Sequence, residues 1–415
     1  MQEKSKFADQ ITKPMKKTIV VLSALALTGL FPSCQKERAI NPAAPIAVQS
    51  FTNGQIIPNQ YIVVLKDEIV SSDMKLASIP AYADRVLAVN SFSRQLLAEN
   101  NIVAGNNISQ TYAEALKGFA ATLSPTQADN LKNDNRIAFI EPDRMFVLGG
   151  KPGGGGGGAA QVTPWGIARV GSADGTGKTA WIIDTGVDLT HPDLNVDLAR
   201  AKTFITAGLD AQSPNDLNGH GTHVSGTIAA KNNTTGVIGV AYGAKVVPVK
   251  VLDRNGSGSY SGVIAGVDYV AATAAAGDAA NMSLGGPISV ALDNAIMNAA
   301  SKGIIFALAA GNDGADANNN SPGHINGANI FTISAMDNTD KFASFSNYGN
   351  PPVDFCAPGV SVYSCWKGGA YNTISGTSMA TPHVTGLLLL NGVNIVTSGY
   401  VTSDPDGNAD PIAHH

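Results

Sequence analysis

Short apolar runs of strand length recur between residue 160 and about residue 400: Ala180 to Ile183, Lys245 to Val251, Ala280 to Leu284, Ile304 to Ala309 and Ile330 to Ser334. Most lack strict polar alternation, and a strand that is apolar on both faces is buried on both faces, so the runs predict a parallel sheet covered by helices. Two helices have recognisable starts. One opens at Asn218-Gly-His220-Gly-Thr-His223, and the other runs from Gly-Thr-Ser378-Met-Ala-Thr-Pro382 into Val384 to Leu390, with Pro382 tolerated in its first turn. Upstream, Gln60 to Lys66 reads as a strand, Ser124 caps a helix with Pro125 at its first position, and Ile137 to Asp143 reads as a closing strand. These make a small α+β domain. Between the two lies Gly149 to Gly158, a flexible tract that cannot form a core.

Ligands of open parallel sheets lie beyond the carboxyl ends of strands. Asp184 closes the run Trp181-Ile-Ile183, Asn312 follows Ala309-Ala310-Gly311, and His220 and Ser378 stand at helix mouths that face the same crevice. The residue types suit nucleophilic catalysis. A serine hydroxyl is a poor nucleophile at neutral pH, so a base must take its proton and an acid must orient that base. At a helix mouth, free backbone N–H groups and the positive helix end can stabilise an oxyanion. Taken alone, Gly-Thr-Ser is ordinary cap chemistry and Asn-Asp-Gly an ordinary turn. It is the chain order Asp184, His220, Ser378 that turns the reading toward catalysis, since this order is the one found in subtilisin.

The flanks Ile-Asp184-Thr-Gly, Gly-His220-Gly-Thr-His-Val-Ser-Gly-Thr and Gly-Thr-Ser378-Met-Ala-Thr-Pro-His resemble the signature segments of the subtilisin-like serine proteases, nearest in look to the proteinase K branch. The resemblance implies an Asp184, His220, Ser378 triad, with the Asn312 amide as oxyanion donor beside the Ser378 N–H. Loss of one such donor costs roughly 2.7 to 4 kcal/mol, a magnitude that belongs to a subtilisin. Tyr112 to Leu123 and the ending Ile140-Glu-Pro-Asp143 resemble the inhibitor prodomains of the family, which assist folding and block the cleft. The stretch from Ala159 to Val170 resembles the mature start of proteinase K relatives, so maturation is expected near residues 158 to 160. Ten extended linker residues reach roughly 33 Å, enough for the chain to enter its own cleft. Expected partners are therefore protein or peptide substrates and the chain's own prodomain, with the enzyme a monomer.

Substrate contacts follow from the same resemblance. Ser283-Leu284-Gly285-Gly286 corresponds to a strand that pairs with an extended peptide, and with Ala309-Ala310-Gly311 it walls the pocket before the scissile bond. Neither segment carries a charge, so a broad or hydrophobic preference is expected. Tyr260, after Gly256-Ser-Gly-Ser, either lines a more distant pocket or belongs to a surface loop. Asp354 matches the family's calcium carboxylate, with the Ala328 and Ile330 carbonyls as partners, and calcium takes oxygen ligands. Zinc is not expected at His220-Gly-Thr-His223, which lacks His-Glu-x-x-His and has no third ligand near, and His223 is expected to pack at the helix start. Asp404 to Asp410 lacks the closing glutamate of a calcium loop and reads as a solvated tail.

Composition narrows the setting. With 415 residues, 44% hydrophobic and a net charge of −5, the chain can bury a sizeable core but offers no polybasic face for nucleic acid. Met15-Lys-Lys and the 13-residue apolar run Ile19 to Phe31 suit a signal peptide. Cys34 follows as a loose lipoprotein box, so a lipid anchor and conventional cleavage both stay open, and with them lipid-anchored or secreted export. Cys356 and Cys365 admit either a bridge across eight residues or two buried thiols. The expected layout is upstream and signal residues 1–34, linker 35–55, prodomain 56–148, glycine-rich linker 149–158 and catalytic domain 159–415. A silent subtilase fold that only binds peptide is the alternative, and it would need a damaged triad. An esterase would need Gly-x-Ser-x-Gly and another chain order.

Overall fold

The computed structural model describes residues 51–103, 107–149 and 160–415. The signal-like run, Cys34 and the tract after Gly149 lie outside the described residues. In the N-terminal part, β1 (Ile56–Leu65), α1 (Asp67–Met74), α2 (Tyr82–Glu99), β2 (Ile108–Tyr112), β3 (Gly118–Thr122), α3 (Pro125–Leu131) and β4 (Ile137–Val147) follow in order. The strands form an antiparallel sheet ordered β4-β1-β3-β2. The α3 start carries the expected signal in full: Ser124 accepts the Gln127 N–H, and the Gln127 side chain accepts the Ser124 N–H.

The C-terminal part contains β5 (Thr179–Asp184), α4 (His220–Ala229), β6 (Lys245–Lys250), β7 (Ser257–Ser259), α5 (Tyr260–Thr273), β8 (Ala279–Met282), α6 (Val290–Ala300), β9 (Ile305–Ala309), β10 (Ile330–Met336), β11 (Val353–Pro358), α7 (Thr377–Asn391), β12 (Val396–Tyr400) and β13 (Pro411–His414). The large sheet runs β12-β13-β11-β10-β9-β8-β5-β6, parallel except for β12 against β13. All six residues of β5 are buried, as expected for a strand covered on both faces. Every residue of α7 from Thr377 to Leu389 is buried too, so this helix runs through the core against β8 to β11 rather than along its surface. The α/β class with a flanked parallel sheet and a small α+β domain ahead of it is as expected.

One open alternative closes and one reading is corrected. Cys356 and Cys365 are separate free thiols, both buried, because they stand on different elements that face different parts of the core. The stretch from Asp404 to Asp410 is not simply solvated. Asp410 is 1% exposed and accepts the Ser334 hydroxyl and the Asn350 amide, with burial pushing its carboxyl up to about 7.

The N-terminal sheet docks on α5 and α6 through carboxylates, of which Asp143 and Asp268 are buried and Glu141 is half-buried. Asp143 accepts the Ser261 N–H and hydroxyl at the start of α5, and Glu141 accepts the Ser289 hydroxyl and the Ala291 N–H at the start of α6. In return Asp268, on α5, accepts the N–H groups of Ala113, Glu114, Ala115 and Leu116 and the Tyr82 hydroxyl. Burial raises the carboxyl pKa of all three, Asp143 to about 6, and the hydrogen bonds oppose that rise. Asp268→Ala should therefore leave four backbone donors without their acceptor. Amide exchange at residues 113–116 is expected to speed up at least about tenfold while β5 keeps its protection. Unchanged protection would exclude this docking role.

Candidate active site

The site is assembled at strand ends and helix starts. Asp184 is the last residue of β5, His220 the first of α4 and Ser378 the second of α7. His220 Nδ1–H donates to Asp184, with Oδ1 at 2.8 Å and Oδ2 at 2.9 Å, and Asp184 is fully buried. Gly221 is required at this junction, because a Cβ there would lie 2.0 Å from the Gly186 carbonyl oxygen. Burial opposes the imidazolium, but the Asp184 charge and hydrogen bond outweigh it, so the His220 pKa lies above its ordinary 6.5. His223, one turn on, is fully buried; burial and the neighbouring His220 charge pull it down to about 3, and its Nε2 bonds the Val362 carbonyl at 3.0 Å. It packs, as expected.

Ser378 is 8% exposed, and its hydroxyl donates to the Ser283 carbonyl at 3.1 Å instead of to His220. Ser283 returns a bond from its own hydroxyl to the Ser378 carbonyl at 2.8 Å. Ser378 and His220 line the same cavity, and catalytic hydrogen bonds commonly form only once substrate arrives. Asn312 Oδ1 accepts the Thr377 N–H at 2.8 Å and the Thr377 hydroxyl at 3.1 Å. Its amide NH₂ is thereby turned the other way, toward the cavity it lines.

His220, Ser378, Asn312, Ser283, Leu284, Gly285, Ala309 and Gly311 line one cavity of about 470 Å³. Leu284, Ala309 and Met379 give it an apolar wall, and the exposed Asp313 stands at its rim. Ala310 lies behind that wall, fully buried, with its carbonyl bonded by the Asn347 amide. Gly286 and Tyr260 meet further along, where the Tyr260 ring stacks on Phe146 of β4 at 3.8 Å and 3°. Tyr260 is therefore buried in an apolar contact rather than on a surface loop. Asp354 does not line this cavity; it stands on β11, where Oδ2 accepts the Thr332 N–H at 2.8 Å and burial pushes the carboxyl up to about 6.

Three residues escaped the sequence reading. Asp216 accepts from the Thr185 hydroxyl, the Asn218 and Gly219 N–H groups and the Thr222 N–H and hydroxyl, joining the turn after Asp184 to the start of α4. An Asp four residues before a helix-opening histidine is a readable cap signal. Thr377 orients Asn312, and Asn53 spans from Val147 to Gly285; neither has a local signature.

A hydroxyl, an imidazole backed by a buried carboxylate, and a turned amide beside a helix mouth can together run acyl transfer. Comparison with known proteins points the same way. The subtilase family model matches residues 175–391. The chain belongs to the subtilase family. Ahead of that match, residues 60–148 match the peptidase inhibitor I9 family. The extracellular serine proteinase of Thermus sp. (strain Rt41A) is 39% identical over 414 residues, covering 96% of this chain and 92% of that protein. Proteinase R of Parengyodontium album is 33% identical over 387 residues, covering 87% of each. Alkaline serine exoprotease A of Vibrio alginolyticus is 39% identical over 346 residues, 80% of this chain, which spans 60% of that relative's length. The crystal structure of a cold-adapted subtilisin-like serine proteinase superposes with a TM-score of 0.54 at 38% identity, covering 60% of this chain and 97% of that one.

For this subtilase the His220 environment sets a pH expectation. The base must be neutral, and its pKa is raised, so kcat/KM should fall on the acid side at a pH above 6.5. Asp184→Asn removes the charge that raises it, so the midpoint should move down and kcat should drop by about 10⁴. A pH–rate profile of the wild type and the variant checks both.

Proposed function

We propose that the chain is an exported endopeptidase made as a self-processed zymogen. Ser378 attacks the substrate carbonyl, His220 takes the hydroxyl proton and later gives it to the leaving amine, and Asp184 holds the imidazole. The Ser378 N–H and the Asn312 amide receive the oxyanion, and water then hydrolyses the acyl-enzyme. The observation that carries this reading is the turned Asn312 amide sharing one cavity with Ser378 and the Asp184-paired His220. An apolar wall of Leu284, Ala309 and Met379 supports a broad or hydrophobic preference beside the scissile bond. The docked N-terminal part acts as intramolecular inhibitor. Export is supported by the signal-like run and by the extracellular name of the Thermus relative.

The test is direct. Residues 35–415 should hydrolyse casein and shorten by self-cleavage, while Ser378→Ala should fold and do neither; a kcat loss on the order of 10⁶ is the size known for a subtilisin nucleophile. Asn312→Ala should lower kcat by about 10² to 10³, also a subtilisin magnitude. A folded wild type with no casein hydrolysis overturns the reading in favour of a silent peptide-binding fold.

Calcium belongs to the same proposal. One oxygen of Asp354 is taken by the Thr332 N–H, which opposes the burial that raises its carboxyl to about 6, and a carboxylate oxygen is a ligand that a hard cation accepts. Asp354 and the Ala328 and Ile330 carbonyls would hold the ion, which supplies charge and rigidity. Without calcium the raised pKa makes Asp354 cost stability as pH climbs from its ordinary 3.8 through about 6. In chelator, Tm should therefore fall between pH 4 and 6. Both added calcium and Asp354→Asn should flatten this part of the slope. Equal Tm with and without chelator counts against the site.

A further inference from the structure

The C-terminal end of β4 runs into the cavity as an extended peptide. It pairs antiparallel with β7, Met145 opposite Ser259, Phe146 opposite Gly258 and Val147 opposite Ser257. The ladder goes on with the Leu148 N–H donating to the Gly256 carbonyl at 2.9 Å. Phe146, 1% exposed and stacked on Tyr260, fixes the register, because a strand that slips by one residue turns its side chains to the other face. On the opposite edge the Val147 N–H donates to Asn53 Oδ1 at 3.1 Å, and Asn53 Nδ2 donates to the Gly285 carbonyl at 2.9 Å. Thus the strand is held on both sides. The next residue in this register, Gly149, lines the cavity with Ser378, His220 and Asn312, and a Cβ added to it would meet nothing within 4 Å.

Ala160 to Val162 are held elsewhere. Ala160 bridges Thr235, the Gln161 N–H donates to the Thr234 carbonyl at 3.1 Å and the Val162 N–H to Gly236 at 2.9 Å. Thr234 to Gly236 follow the far end of α4, a ten-residue helix, so about 15 Å of helix separates them from His220.

Resting on the serine-protease reading, we propose that the first self-cleavage breaks the peptide bond on the carboxyl side of Gly149, selected by strand register and the Phe146 anchor. Ser378 Oγ adds to the Gly149 carbonyl carbon and His220 takes its proton. The amine of the following residue leaves with that proton, and one water hydrolyses the Gly149 ester to a carboxylate. The larger product keeps the ten residues 150–159 ahead of Ala160. Any cut near 158–160 is then a later trimming step, made on another copy.

Intact-mass and terminal-peptide analysis over time on the refolding chain of residues 35–415 tests the site. The earliest N-terminal fragment is expected to end at Gly149. With one alanine inserted between Leu148 and Gly149, the fragment should end at that alanine, because the register counts from Phe146. Phe146→Ala should slow the first cut at least tenfold. A chain that hydrolyses casein but is first cut at 158–160, or whose inserted variant is still cut after Gly149, overturns the site and leaves the protease reading standing. A folded chain that neither clips nor hydrolyses casein overturns the reading itself.

Discussion

The Asp216 carboxylate is the constraint on which the site depends. It is buried and takes five hydrogen bonds, from Thr185, from Thr222 and from the backbone between Asn218 and Thr222. Burial raises its pKa, and the hydrogen bonds with the Lys250 charge oppose the rise. A charge in that position is tolerable only while every donor keeps its place, since removing one partner of a buried charge is strongly destabilising. The end of β5 and the start of α4 are thus locked to one carboxylate. Asp184 and His220 are held at 2.8 Å by that lock on their flanking backbone together with their own hydrogen bond.

The same device holds the N-terminal part. Asp143, Glu141 and Asp268 face hydroxyls and backbone N–H groups at helix starts and at one loop, with cations confined to the edge, where Lys302 and Arg85 meet Glu114. Buried hydrogen bonds from fixed amides depend on geometry and are screened little by salt. The docking surface therefore sets the path of β4 as firmly as it sets its affinity. That path leads Phe146 onto Tyr260 and Gly149 into the cavity.

Much of this is readable in the sequence where chemistry and backbone constraint coincide. Asp184, His220, Ser378 and Asn312 each sit among glycines and small residues that the tight strand-to-helix junctions demand, and the buried strands betray themselves by unbroken apolar runs. The α2 helix is not legible, because only Val89, Ser93, Leu96 and Leu97 of its 18 residues are buried, too sparse a stripe for a clear period. β11 escapes for a related reason: Val353-Asp-Phe-Cys mixes polar and apolar positions, and its burial depends on neighbours distant in sequence. Asn53 carries no local signal at all. Its role exists only because a segment before β1 folds back beside β4 and Gly285, a contact across 232 residues.

In the proposed reading, the two titrations in this zymogen act in the same direction. The docked state raises the Asp143 carboxyl to about 6 from an ordinary 3.8, so docking favours the protonated acid. As pH climbs through 6 that preference is lost, and the N-terminal part is held less tightly than in acid. His220 loses its proton above 6.5, so the base becomes competent over the next stretch of the same climb. A chain exported into neutral or alkaline surroundings would thus loosen its inhibitor and arm its nucleophile together, with one ionisation at the docking face and one in the cavity. Neither group needs to sense the other, because each answers the solvent pH through its own cause, burial of the Asp143 carboxyl itself and the Asp184 charge beside the buried His220.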